Sequence, residues 1–317
     1  MMSTEDNAPA HPRPGSVVVG VTGPGRERAA LRFAADCARR EGRDVVLVHA
    51  FHPGHPAPPP GILLSYADAS EAGDWVVKEV GDEFRELSDG SIQFTSLAVA
   101  GAPWRVLGDL AVDARMLVVQ HRHAHGLARL VTGHTVTGVA SRAGCPVVSV
   151  NEDWEPPDAG GEVVVGVHED GGPSEALAEA FVWAEATGAP VRVVHGWRLD
   201  AVYDDIITSR IAAEWRAEQR TVLTEAVSTL RSRHPGVSVE VEVRHQWPAD
   251  VLVDDSRVAR LVVMGRHGRA PWGPHHLGSI ARTVLRESRC PVMVVPVHVA
   301  RAELEWDLTA DEVSPQT

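Results

Sequence analysis

No apolar run in this sequence approaches the roughly 18 residues that a membrane-spanning helix requires. The stretch from Met1 to Gly15 is polar and proline-rich, without the apolar centre of a signal peptide. The expectations are a cytoplasmic chain and no membrane partner. Basic charge is outnumbered: 30 Lys and Arg stand against 43 Asp and Glu, a formal charge of -13. A clustered cationic surface would have to form against that field, which argues against a nucleic-acid partner. Cysteine is scarce. Cys37, Cys145 and Cys290 are far apart and form no CxxC pair, which argues against a disulfide framework and a thiolate zinc site and leaves them as buried small hydrophobes. Also missing are a Walker lysine, a magnesium-holding carboxylate in a phosphoryl-transfer motif and a Gly-x-Ser-x-Gly elbow. No catalytic residue is assigned, and a non-enzymatic role is expected.

What is present is a globular composition, with 44% hydrophobic and 23% charged residues over 317 positions, about twice the usual length of one domain. The chain is also a repeat. Val17-Val18-Val19-Gly20-Val21 recurs as Val163-Val164-Val165-Gly166-Val167, Val48-His49 as Val194-His195, and Cys145-Pro146-Val147 as Cys290-Pro291-Val292. Between the copies, acids, prolines and glycines from Asn151 to Gly161 resist helix and strand. The expected organisation is a disordered tail over 1–15, a first domain over 16–151, a linker over 152–161, a second domain over 162–298 and an acidic tail over 299–317.

In the second copy the patterning predicts strands near 162–167, 190–196, 237–244, 260–264 and 292–295, with helices near 174–187, 208–234, 248–255 and 278–287 between them. Runs such as Leu261-Val262-Val263-Met264 are apolar throughout, as parallel strands covered on both faces must be. The fold class is α/β: two doubly wound, parallel, five-stranded, Rossmann-like domains in tandem. In such sheets ligands settle beyond the C-terminal strand ends, where the winding reverses.

After Met264 comes Gly265-Arg266-His267-Gly268, and nine residues beyond Gly268 the pair Gly278-Ser279 opens a helix. Gly265 and Gly268 would let backbone approach a ligand and turn at positive φ, and the helix N-terminus would favour phosphate. A glycine-rich surface loop with a capped helix is the plainer alternative. The spacing resembles the ATP-binding signature of the universal stress protein family, G-2x-G-9x-G-(S/T), and the similarity extends over both copies. The resemblance implies that Met264, Gly265, Arg266, Gly268, Gly278, Ser279 and Ile280 hold the phosphates and ribose. It also implies that the base lies against Gly166-Val167-His168 and His195-Gly196. His168 stands where the family usually has aspartate.

The first copy departs further. Gln120 and His123 replace the first two glycines, His134 replaces the serine and Thr22 the aspartate, so this copy is not expected to bind nucleotide in the family manner. His121, His123, His125 and His134 raise a metal site, but no acidic ligand lies nearby in sequence and none is assigned. The leading expectation is a stress-response regulator binding ATP, with magnesium, or AMP or cyclic AMP in its place. Slow ATP hydrolysis or adenylation, and a scaffold that binds nothing, are the rivals. Family domains commonly pair through their last strands, which implies an intramolecular pseudo-dimer and leaves open a homodimer of chains.

Overall fold

The computed structural model describes residues 12–51, 65–122, 129–157, 160–167, 175–198, 209–266 and 277–296. The first copy runs β1 (Val17–Gly20), α1 (Arg28–Glu41), β2 (Val45–Phe51), α2 (Tyr66–Leu87), β3 (Phe94–Ala100), α3 (Pro103–Leu110), β4 (Met116–His121), α4 (Arg129–Arg142) and β5 (Val147–Asn151). The second repeats it as β6 (Val163–Gly166), α5 (Glu175–Thr187), β7 (Val191–Trp197), α6 (Ser209–Arg233), β8 (Val239–His245), α7 (Pro248–Asp255), β9 (Leu261–Gly265), α8 (Ser279–Glu287) and β10 (Val292–Val295). The predicted elements of the second copy are all present, within two residues at each end. Local chemistry sets several bounds. Gly42 ends α1 in the left-handed region, returning its N–H to Ala38. A reciprocal Ser65–Asp68 box opens α2, and a proline stands in the first turn of both α3 and α7.

Within each copy the strands are parallel, but the two five-stranded halves form one ten-stranded sheet, ordered β3-β2-β1-β4-β5-β10-β9-β6-β7-β8. The join is antiparallel, with Val147, Val148 and Ser149 opposite Val294, Met293 and Val292. The last strands therefore cover each other's open edges. Strand alternation sends Val17, Val19, Val163, Val165, Met293 and Val295 to one face and Val18, Val164, Val147, Val292 and Val294 to the other. The hydrophobic core accordingly divides by sheet face and not by copy. One layer lies under α1, α2, α5 and α6, the other under α3, α4, α7 and α8, and each draws residues from both copies.

Polar contacts reinforce the join. Half-buried Arg115, just before β4, pairs with Glu41 of α1 at 2.8 Å and with Glu179 of α5 at 2.5 Å. Burial opposes its charge, yet the two carboxylates outweigh that and hold its pKa above the ordinary guanidinium value. From the connection between copies, Trp154 packs edge-on against Phe33 of α1 at 5.5 Å. The winding reverses between β1 and β4 and again between β6 and β9, which fixes the two crevices where a ligand could settle.

Candidate functional site

In the second copy the crevice lies between Gly166, ending β6, and Gly265, ending β9; Gly166 stands beside Met264 in the register. The four described glycines expected at the site separate by cause. A Cβ on Gly166 would come within 2.9 Å of Leu252 Cδ1, and one on Gly196 within 2.9 Å of the Pro248 backbone. Both are demanded by helix α7 packing on the sheet. Gly20 in the first copy meets Leu107 at the same 2.9 Å, so this glycine belongs to the fold in either copy.

Gly265 and Gly278 are different. Among the described residues, a Cβ on Gly265 would find only Ala176 Cβ, at 3.9 Å, and one on Gly278 would find nothing within 4 Å. Gly265 lacks the positive φ expected of it from sequence, and Gly278 sits at φ -60 and ψ 161, open to any residue. What these positions offer is the absence of a side chain, not backbone freedom. Gly278 is the N-cap of α8, and among the described residues no side chain, the Ser279 hydroxyl included, caps that helix. Ser279 and Ile280 are exposed in the first turn. The first-turn N–H groups of a helix and the positive end of its dipole in general favour an anion.

Arg266 was expected beside the phosphates, and the structure places its guanidinium elsewhere. Its backbone N–H donates to Val295 O at 2.7 Å, and Nη1 donates to Ala143 O at 3.0 Å and Ala140 O at 3.4 Å, at the C-terminal end of α4. Those carbonyls lack intrahelical partners and lie across the join, so a half-buried guanidinium is drawn to them. At the base end, Val167 N–H donates to Val194 O at 3.1 Å and its carbonyl accepts from His195 Nδ1 at 3.0 Å. Because the carbonyl can only accept, Nδ1 carries the proton. His49 and Val21 make the same 3.0 Å bond in the first copy, so the Val-His strand ending serves as a tie between strands. His168 and Gly268 lie outside the described residues.

Sequence reading missed how the first crevice is filled. Gln120 occupies the place of Gly265. Its Oε1 accepts from Ala30 N in the first turn of α1 at 3.2 Å, and its Nε2 donates to Arg26 O at 2.5 Å. Beside it the buried Glu27 carboxylate accepts from Thr22 Oγ1 at 2.5 Å and faces Arg122 Nη2 at 3.6 Å. Side chains of the first copy thus occupy the N-terminus of α1 and the crevice beside it. The missed signal is that Gln120 replaces a glycine just where Arg122 and Glu27 can also converge. An aromatic group flanks β7: Trp197 lies 4.3 Å from Trp215 and 4.2 Å from His245, centroid to centroid. Among the described residues, no group of three or more His, Cys, Asp or Glu is arranged to hold a metal ion, and no helix is long and apolar enough to cross a membrane.

The universal stress protein family model matches residues 15–151 and again 161–296. The chain belongs to the universal stress protein family. Its tandem arrangement is shared with a universal stress protein of Mycolicibacterium smegmatis, 30% identical over 289 residues that span 88% of this chain and 96% of the relative. A universal stress protein of Mycobacterium tuberculosis is likewise 30% identical over 289 residues, 88% of this chain and 95% of that one. The crystal structure of a universal stress protein from Archaeoglobus fulgidus superposes with a TM-score of 0.67 at 17% identity, covering 89% of this chain and 96% of that one. At that identity the likeness bears on the fold alone.

Proposed function

We propose that this tandem universal stress protein binds one adenine nucleotide per chain, in its second copy, and acts as a stress-response regulator through occupancy. ATP with magnesium is the leading ligand, with AMP or cyclic AMP as alternatives. The phosphates lie on the first turn of α8 and against Gly265, and the base lies toward Val167 and Gly196. One observation carries this reading: among the described residues nothing packs where a side chain at Gly265, the end of β9, or at Gly278, the N-cap of α8, would demand space. The matching crevice of the first copy is closed by Gln120, Glu27 and Arg122.

Equilibrium dialysis against ATP, AMP and cyclic AMP tests it directly. One equivalent should bind per chain, and Gly278→Val should weaken binding at least tenfold, about 1.4 kcal/mol. Two equivalents would overturn the assignment to one copy. No binding, or a Gly278→Val chain that binds normally, would overturn the site, and steady ATP turnover would overturn the regulatory role.

A further inference from the structure

Arg266 begins the loop that follows Gly265, yet its side chain belongs to the other copy. Nη1 reaches the carbonyls of Ala143 and Ala140 at the C-terminal end of α4. The contact has a counterpart running the other way. Asn151, the last residue of β5, donates from Nδ2 to the carbonyl of Ser288, the C-cap of α8, at 2.6 Å. Each copy therefore satisfies the C-terminal carbonyls of the other copy's final helix. Those carbonyls have no intrahelical partner and carry the negative end of the helix dipole, which a guanidinium complements better than a neutral amide does. Burial pulls the Arg266 pKa below the ordinary guanidinium value, but arginine keeps its charge at any physiological pH. Among the described residues, no carboxylate forms an ion pair with Arg266; its partners are backbone carbonyls. With Arg266 N–H on Val295 O at 2.7 Å, the root of the loop is held by its backbone on β10 and by its side chain on α4.

We propose that Arg266 is a positioning residue for the crevice: by gripping α4 of the first copy it fixes the end of β9 at Gly265, and it does not itself take phosphate. The inference rests on the reading that the second copy binds an adenine nucleotide. The first copy then has a use without a site of its own, because it supplies the carbonyls that anchor Arg266 at the end of β9. An isolated second copy would have the Gly265 and Gly278 positions but a loop root without its anchor.

The test uses the full chain with ATP as probe. Affinity is measured by equilibrium dialysis at several salt concentrations, and hydrogen exchange is followed over 129–143, for wild type, Arg266→Ala and Arg266→Lys. Loss of a hydrogen-bonded charge should weaken ATP binding in Arg266→Ala at least about threefold, with unchanged salt dependence and faster exchange in the last turn of α4. Arg266→Lys, which retains the charge but not the fork, should lie between the two and keeps the test open if the alanine variant does not fold. A flatter salt dependence in either variant would mean that Arg266 contacts phosphate and would overturn the proposal. So would wild-type affinity in both variants. If wild type binds no ATP, the nucleotide reading falls and the proposal with it; ATP binding that ignores Arg266 sinks the proposal alone.

Discussion

The two copies share strand order, helix order and the histidine tie between their first two strands, but they differ in what fills the crevice between first and fourth strands. In the first copy Gln120 bonds the first turn of α1 and the Arg26 carbonyl, and Glu27 is enclosed by Thr22 and Arg122. In the second, no described residue fills that place at Gly265, where a side chain would meet Ala176 of α5 only at ordinary contact distance. Decay of a site could have left a cavity or an unpaired helix end, both of which carry a stability penalty. The first copy instead closes the crevice with hydrogen bonds of its own. Because the core layers and the β5–β10 pairing run through both copies, this divergence leaves the shared body intact.

The most direct way to break the comparison is to move the plug. Gly265→Gln should reproduce the first copy's closure in the second and lower ATP affinity about 100-fold, about 2.7 kcal/mol. A new Cβ there meets only Ala176 at 3.9 Å, so urea unfolding should show little change in stability. Retained ATP affinity would mean that the ligand does not use the crevice between β6 and β9.

Next in size is a test of which glycines serve the fold. Gly196→Ala drives a methyl to 2.9 Å from the Pro248 backbone, which cannot move as a side chain can, and should destabilise by about 1–3 kcal/mol in urea unfolding. Gly278→Ala enters open space at an ordinary φ and should change unfolding by less than about 0.5 kcal/mol. The first copy carries Ala50 where the second has Gly196, so the close approach of α7 is particular to the second half. Equal losses from the two substitutions would erase the distinction between packing glycines and site glycines.

That distinction marks the limit of what could be read from sequence. The repeat, the alternating elements and the winding order were legible because continuous apolar runs and helical periodicity depend on local burial alone. The Gly265 and Gly278 positions were legible as spacing. Spacing could not separate them from Gly166 and Gly196, whose absent side chains answer to Leu252 and Pro248 on another element. The Arg266 contact was hidden for a similar reason: a basic residue beside glycines suggests phosphate, and the antiparallel join is what brings α4 within its reach. Charges on β8 were equally opaque. Arg244 bonds Asp255 at 2.7 Å and Glu242 at 2.6 Å, a network that depends on where α7 ends.

A smaller effect probes the plug itself. Gln120→Ala removes an acceptor from the first turn of α1 and a donor from the Arg26 carbonyl, which should lower stability by about 1 kcal/mol. It should not create a second nucleotide site, because Glu27 still brings negative charge to the place where phosphate would need to be. Dialysis giving two ATP per Gln120→Ala chain would show that one side chain alone separates the copies.

The smallest effect at neutral pH asks whether divergence is confined to the crevice. Cys145 and Cys290 open the last strand of each copy, and both are buried. Desolvation, the leading cause in each, raises both thiols from 9.0 to about 12. A folded-state pKa above the unfolded one means the native state holds the proton more tightly. The associated stability is complete below pH 9.0 and is lost as pH rises toward about 12. Cys145→Ala and Cys290→Ala should each change stability at pH 7 by no more than about 1 kcal/mol, and should flatten the alkaline fall by similar amounts. Urea titrations from pH 7 to the alkaline limit of folding measure both quantities. A markedly steeper contribution from one cysteine would show that the copies differ in their cores as well, and that closure of the first crevice was part of a wider drift.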